Sequence, residues 1–219
     1  MIQAMHRARS VLSHPRVYNA LQSLLGGKAG RRVIVSYLDV KEKDRILDMG
    51  CGTAEILSSL PLGVDYTGFD PCLKYIDWAK SRHGSRGSFL HQSIQNFLAE
   101  EHKNIYDKVI AIGLIHHLSD DEIHQLYLTV CHVLKDGGEF FSIDCCYTKN
   151  QSMISRFLID LDRGENVRHL YQYKEFAMQY FEEVIAHHRN DLLRIPYDHA
   201  LLVCRKPLPP SEGHPQAVL

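Results

Sequence analysis

DRILDMGCGTAEIL, residues 44–57, reads as a short apolar strand, a turn of small residues and the start of a helix. Ile46 and Leu47 form an apolar run that ends at Asp48; Gly50, Gly52 and Ala54 follow, and a helix is expected over 54–59. Strand, small-residue turn and helix, in that order, hold a nucleotide-like ligand in open α/β sheets. Glycines at 50 and 52 permit backbone angles that other residues resist and let a ligand touch the main chain. The free amides of the following helix start face the same place. A nicotinamide fingerprint, G-x-G-x-x-G, would put its third glycine where Glu55 stands, and a carboxylate there repels a pyrophosphate. Asp48, at the strand end, can instead accept a hydrogen bond from a ligand ammonium. The pattern suits a ligand with an amino-acid head and no phosphates.

Composition narrows the class. A chain of 219 residues makes one domain the default and can bury a substantial core. A formal charge of −1 and a pI near 6.9 show no basic field for nucleic acid. Lys28, Arg31 and Arg32 gather locally, as a solvated helix face does. The six cysteines form no C-x-x-C pair and no zinc spacing, so reduced thiols and no metal are expected. Adjacent Cys145 and Cys146 read as packing residues. No apolar run reaches the ~18 residues of a membrane span, and MIQAMHRARS lacks an apolar signal core. A soluble, cytoplasmic protein is the expectation.

Asp48-Met49-Gly50-Cys51-Gly52-Thr53-Ala54 resembles the first motif, D-x-G-x-G-x-G, of class I S-adenosylmethionine-dependent methyltransferases, with Ala54 in place of the last glycine. The rest of the chain keeps that family's order. A second strand over 65–70 ends in Asp70, about twenty residues beyond Gly50, where an acid accepts both ribose hydroxyls; capping of the next helix, 73–82, is its plainer role. A third strand is expected over 88–91. The family's adenine-binding acid usually stands where Ser93 is, so Ser93, Gln95 or the Ile94 main chain would substitute. Val109 to Ile112 is a continuous apolar run, as in a central parallel strand. Gly113 opens the next loop, and Ser119 or Asp120 caps a helix running to about 134. The turn Asp136-Gly137-Gly138 leads to a fifth strand over 139–143, resembling the family's L-x-x-G-G. Two strands near 183–187 and 200–204 would close a seven-stranded, doubly wound, mostly parallel α/β sheet, the last strand antiparallel.

The resemblance therefore implies S-adenosylmethionine as donor and S-adenosylhomocysteine as product. Donor contacts would fall to Asp48, Gly50, Cys51, Gly52, Asp70, Pro71, Ser93, Ile94 and Gly113. His116 and His117 lie in the loop after the fourth strand, where open α/β sheets form their ligand crevice. With Asp144 at the end of the fifth strand they suit a general base and its carboxylate orienter. G-x-x-H-H-L with that Asp is similar to sugar O-methyltransferases, which implies a small-molecule hydroxyl acceptor. Tyr18, Arg163, Arg168, Tyr171, Arg194 and Tyr197 are the candidate acceptor contacts. Helices over 1–43 would form a lid, 44–206 the core and 207–219 a flexible tail. No nucleic-acid or membrane partner is expected, and a homodimer is left open. The alternative is a methyltransferase-like domain that binds the donor and serves as a regulatory or assembly partner.

Overall fold

A computed structural model describes residues 25–97, 99–161 and 165–208. The hub is β1 (Arg45–Met49), in which Ile46, Leu47 and Met49 are fully buried. It pairs in parallel with β2 (Asp65–Asp70), Asp48 opposite Gly68, and with β4 (Tyr106–Ile112), Asp48 opposite Ile110. β3 (Ser88–His91) lies outside β2, and β5 (Leu134–Tyr147) outside β4. A two-residue strand, β6 (Arg168–His169), pairs with the end of β5. β7 (Phe181–Arg189) and β8 (His199–Pro207) form an antiparallel pair, and β8 runs antiparallel to β5. The path is β3-β2-β1-β4-β5-β8-β7. Seven strands in that order, one reversed, match the expectation.

Both faces of the sheet are covered, which is why its central strands are continuous apolar runs rather than alternating ones. Ile46, Ile110 and Phe141 face a layer holding Ile34 and Leu38 of α1 (Gly27–Leu38) and Ile76 and Ala79 of α2 (Leu73–His83). Leu47, Val109 and Phe140 face the opposite layer, with Leu126 and Val130 of α3 (Asp120–Val133) and Tyr173 of α5 (Leu170–Met178). The remaining helix, α4 (Met153–Asp160), follows β5. None of the helices among the described residues is long and apolar enough to cross a membrane.

Several boundaries differ from expectation. The helix read over 54–59 is a short 3-10 turn, Glu55–Ser59, because Ala54 sits in the left-handed region at φ 54° and Leu60 is extended. β4 starts earlier, at Tyr106, and β5 spans Leu134–Tyr147, with the Gly137 turn (φ 77°) as an irregularity inside it. Tyr171 and Tyr173 belong to α5. α1, within the expected lid, is built into the core through Ile34 and Leu38; residues 1–24 of that lid lie outside the described residues, as does most of the tail. Pairing of Pro207 with Phe181, and the Leu208 amide on the Tyr180 carbonyl at 2.8 Å, carry the ordered core past residue 206.

Candidate active site

The carboxyl ends of β1, β2, β4 and β5 bring the chemistry-bearing residues to one edge. Gly50 turns at φ 70°, and a Cβ there would meet Leu114 Cδ1 at 2.8 Å, so the turn packs against the loop after β4. Gly52 turns at φ 54°, with nothing within 4 Å of where a Cβ would be. Its amide donates to Asp70 Oδ2 at 3.0 Å, and the Cys72 amide donates to Asp70 Oδ1 at 2.7 Å. Asp70 thus ties the glycine turn to the start of α2, its helix-capping role, while each oxygen keeps a second lone pair for a ligand hydroxyl. Burial pushes its carboxyl up, against those two amides.

Asp48 is buried under the turn. Its Oδ2 accepts the Tyr66 hydroxyl at 2.5 Å, and its Oδ1 has no partner among the described residues. Burial pushes the carboxyl up to about 7; the Tyr66 hydrogen bond opposes that rise, and the Asp70 charge adds to it. A buried, unpaired acceptor beside an open glycine turn fits the cationic amino-acid head of the donor that the motif implies. Cys51 is tied into the turn: its amide donates to the Phe69 carbonyl at 2.9 Å, and its carbonyl accepts from Ala54 at 2.8 Å. Its thiol lies against Gly68, where an added Cβ would sit 2.9 Å from it. Through these contacts Cys51 braces the turn from beneath. Ser93 and Ile94 sit at the end of β3, beside Asp70 and Pro71: Gln92 N donates to the Asp70 carbonyl at 3.2 Å, and His91 Nε2 lies 3.0 Å from the Pro71 carbonyl. Gln95 is turned away to Glu122, 3.3 Å.

After β4, Gly113 (φ 67°) donates its amide to the Ile143 carbonyl at 2.7 Å, and Ile115–His117 makes one 3-10 turn. That turn sets His116 over β5. His116 Nδ1 is 2.7 Å from Asp144 Oδ1, and the His116 amide donates to the same oxygen at 3.1 Å. Both residues are buried. A carboxylate on Nδ1 keeps the proton there and sets Nε2 as the basic nitrogen. Asp144 Oδ2 has no partner among the described residues. His117 is exposed, its ring 4.0 Å from that of His116. The geometry therefore separates two histidines that the sequence left equivalent.

Of the acceptor contacts, Tyr18 and Arg163 lie outside the described residues. Arg168 is a correction: its guanidinium is buried and spent on the Leu118 carbonyl (3.0 Å), the Asn166 carbonyl (2.8 Å) and Asp120 (2.5 Å). It braces the loop carrying His116 rather than clamping a ligand. Tyr171 is exposed on α5 with its ring stacked on His169. Arg194 and Tyr197 do line a cavity, of about 770 Å³, beyond the end of β5. No local pattern marks Tyr66 as partner of Asp48, nor the chain from His188 and Asp198 in the cavity wall to Ser155 behind them. Strand register could have suggested Tyr66; contacts 43 residues apart, as between Ser155 and Asp198, leave no local signal.

Residues 46–138 match a family model described as a methyltransferase domain. The chain is 23% identical over 190 residues to phosphoethanolamine N-methyltransferase 3 of Arabidopsis thaliana, covering 85% of this chain and 38% of that protein. The chain therefore spans well under half the length of that relative. The structure of Burkholderia thailandensis 1,6-didemethyltoxoflavin-N1-methyltransferase, with its namesake ligand and S-adenosylhomocysteine, matches with a TM-score of 0.67 at 14% identity, over 94% of this chain and 88% of that one. Haemonchus contortus phosphoethanolamine N-methyltransferase 2, with phosphomonomethylethanolamine and S-adenosylhomocysteine, matches with a TM-score of 0.65 at 15% identity, over 81% of this chain and 52% of that one. Strand order and glycine turn agree with that match, and the fold is that of the class I S-adenosylmethionine-dependent methyltransferases. The matched residues run from β1 into the turn within β5.

Proposed function

We propose that the protein transfers the methyl group of S-adenosylmethionine to a hydroxyl of a small molecule, with His116 as general base. The observation that carries this reading is the Nδ1 contact of His116 with Asp144, at the crevice end of the sheet. When bound, the donor supplies a methyl group already activated on sulfonium. The protein's share is alignment and proton removal. Asp48, Gly52 and Asp70 hold the donor, and His116 Nε2 takes the hydroxyl proton as the oxygen–carbon bond forms and the sulfur–carbon bond breaks. An alcohol needs that base; an uncharged amine does not. N-methylation is the second reading, favoured by the names of the relatives and by nothing in the dyad.

Titration calorimetry with S-adenosylmethionine and S-adenosylhomocysteine, on the parent protein and Asp70→Ala, comes first. Binding that is lost in the variant supports the donor site; no binding by the parent sinks it. Transfer of labelled methyl to hydroxylated acceptors then tests the base. Donor binding with no turnover on any acceptor would favour a regulatory or assembly role.

A further inference from the structure

The cavity of about 770 Å³ beyond the carboxyl end of β5 has a charge pattern that the methyl-transfer chemistry does not require. Its position is set by β5 and β8: Thr148 to Asn150 follow β5, and the Cys146 amide donates to the Asp198 carbonyl at 3.0 Å. His199 pairs with Cys145, the residue after Asp144. The cavity thus opens a few residues from the base and its orienter, and its volume is that of a small-molecule site.

Two cations line it, Lys149 and Arg194. Neither has a side-chain ion pair among the described residues, although the chain as a whole carries a net charge of −1. The one carboxylate in the wall, Asp198, is already engaged. Its Oδ1 is 2.5 Å from His188 Nε2, and its Oδ2 accepts the Ser155 hydroxyl at 2.5 Å. Ser155 Oγ in turn accepts the Asp198 amide at 3.1 Å and Gln151 Nε2 at 3.1 Å. Asp198 is therefore bound into the wall and does not neutralise the two cations. Asn150 and Asn190 add uncharged amide donors on the same lining. Paired cations with amide donors recognise anionic oxygens, and an arginine fork does so in two-pronged fashion.

We propose that this cavity receives a carboxylate or phosphate group of the acceptor, held by Lys149 and Arg194, so that the substrate is a hydroxylated small molecule bearing an anionic group. The inference rests on methyl transfer at the neighbouring dyad for the word acceptor, but anion binding can be tested by itself. The full-length protein is titrated with inorganic phosphate, glucose 6-phosphate, glucuronate and glucose, with and without S-adenosylhomocysteine. The expected result is binding of the phosphate or the carboxylate series and at least about tenfold weaker binding of glucose. Whichever series binds more tightly identifies the anion. Lys149→Gln with Arg194→Gln should weaken anion binding at least about tenfold and leave S-adenosylhomocysteine affinity unchanged. Lys149→Arg with Arg194→Lys should retain anion binding, which shows that charge and not folding is at stake. Neutralising Lys80 and Arg82, exposed on α2 at the far edge of the sheet, should change nothing. Equal affinity for glucose and the anions, or anion binding untouched in the double variant, overturns the proposal. Loss of S-adenosylhomocysteine binding alone would count against the donor site and leave the anion result standing.

Discussion

Neighbouring histidines with rings 4.0 Å apart are set in different surroundings: His116 is buried with the Asp144 carboxylate on its Nδ1, and His117 is exposed. His116→Ala should lower turnover by about 10²–10⁴-fold, the usual worth of a general base, with little change in donor affinity. His117→Ala should stay within a few-fold of the parent. Equal losses in the two variants would refute the assignment. Asp48 makes a second prediction at this scale. Its carboxyl, pushed up to about 7, is largely protonated at pH 6 and largely ionised at pH 8. If it receives the donor's ammonium, S-adenosylmethionine affinity should rise about tenfold between those values, since the ionised fraction rises by about that factor. Asp48→Asn should abolish that rise. A pH-independent parent would remove Asp48 from the donor site.

Elements deliver these residues, and their ends matter more than their middles. Ser119 closes a capping box at the start of α3, its hydroxyl accepting the Glu122 amide while Glu122 accepts the Ser119 amide. Ser119→Ala should cost about 1 kcal/mol in chemical denaturation. Arg168 ties that same start to the histidine loop; Arg168→Ala strands the buried Leu118 carbonyl, while the Ile115 carbonyl keeps the Leu118 amide at 3.0 Å, and should cost about 1–3 kcal/mol. Most of that cost is the stranded carbonyl, because Asp120 is largely exposed and its ion pair contributes little. Ala54, left-handed at φ 54°, stores about 1–2 kcal/mol of strain in the third glycine position of the motif. Ala54→Gly should therefore leave stability within about 1 kcal/mol, despite the loss of a buried methyl. Ala79→Gly, equally buried but in the helical α2, should cost more, about 1–2 kcal/mol.

Opposing titrations set the pH dependence of the whole molecule's stability. Asp48 binds a proton more tightly folded than unfolded, so its contribution is fullest below about pH 4 and is lost as pH climbs towards about 7. Asp107, Glu139 and Asp198 have the opposite sign: hydrogen bonds and ion pairs hold their carboxyls down. Their stabilisation is present above the ordinary carboxylate range and fades as pH falls below it. Burial also pushes His83 down and His199 down to about 4, so their stabilisation is present above about pH 6.5 and is lost as pH falls. Asp48 and His199 therefore oppose each other between about pH 4 and 7, and thermal melts of Asp48→Asn should rise with pH across that range more steeply than those of the parent. A difference between the two proteins that does not change with pH would contradict the burial of an ionisable Asp48.

Strands and turns were legible because burial on two faces writes itself as apolar runs such as Val109 to Ile112, and turns write themselves as glycines; the strand order followed from the family resemblance. Gly50, Gly52, Asp70 and the capping Ser119 could be read for the same reason: each acts within a few residues of its place in the chain or at a family-wide spacing. The sequence by itself determined the class I methyltransferase fold and the crevice edge of its sheet. Only the tertiary structure decided which histidine meets Asp144, that Arg168 and Cys51 are braces, that Tyr66 caps Asp48, and that Asp198 leaves Lys149 and Arg194 unneutralised. Those outcomes depend on side chains meeting across 18 to 50 residues of chain, and pairing at that range follows from strand register and packing, not from local pattern.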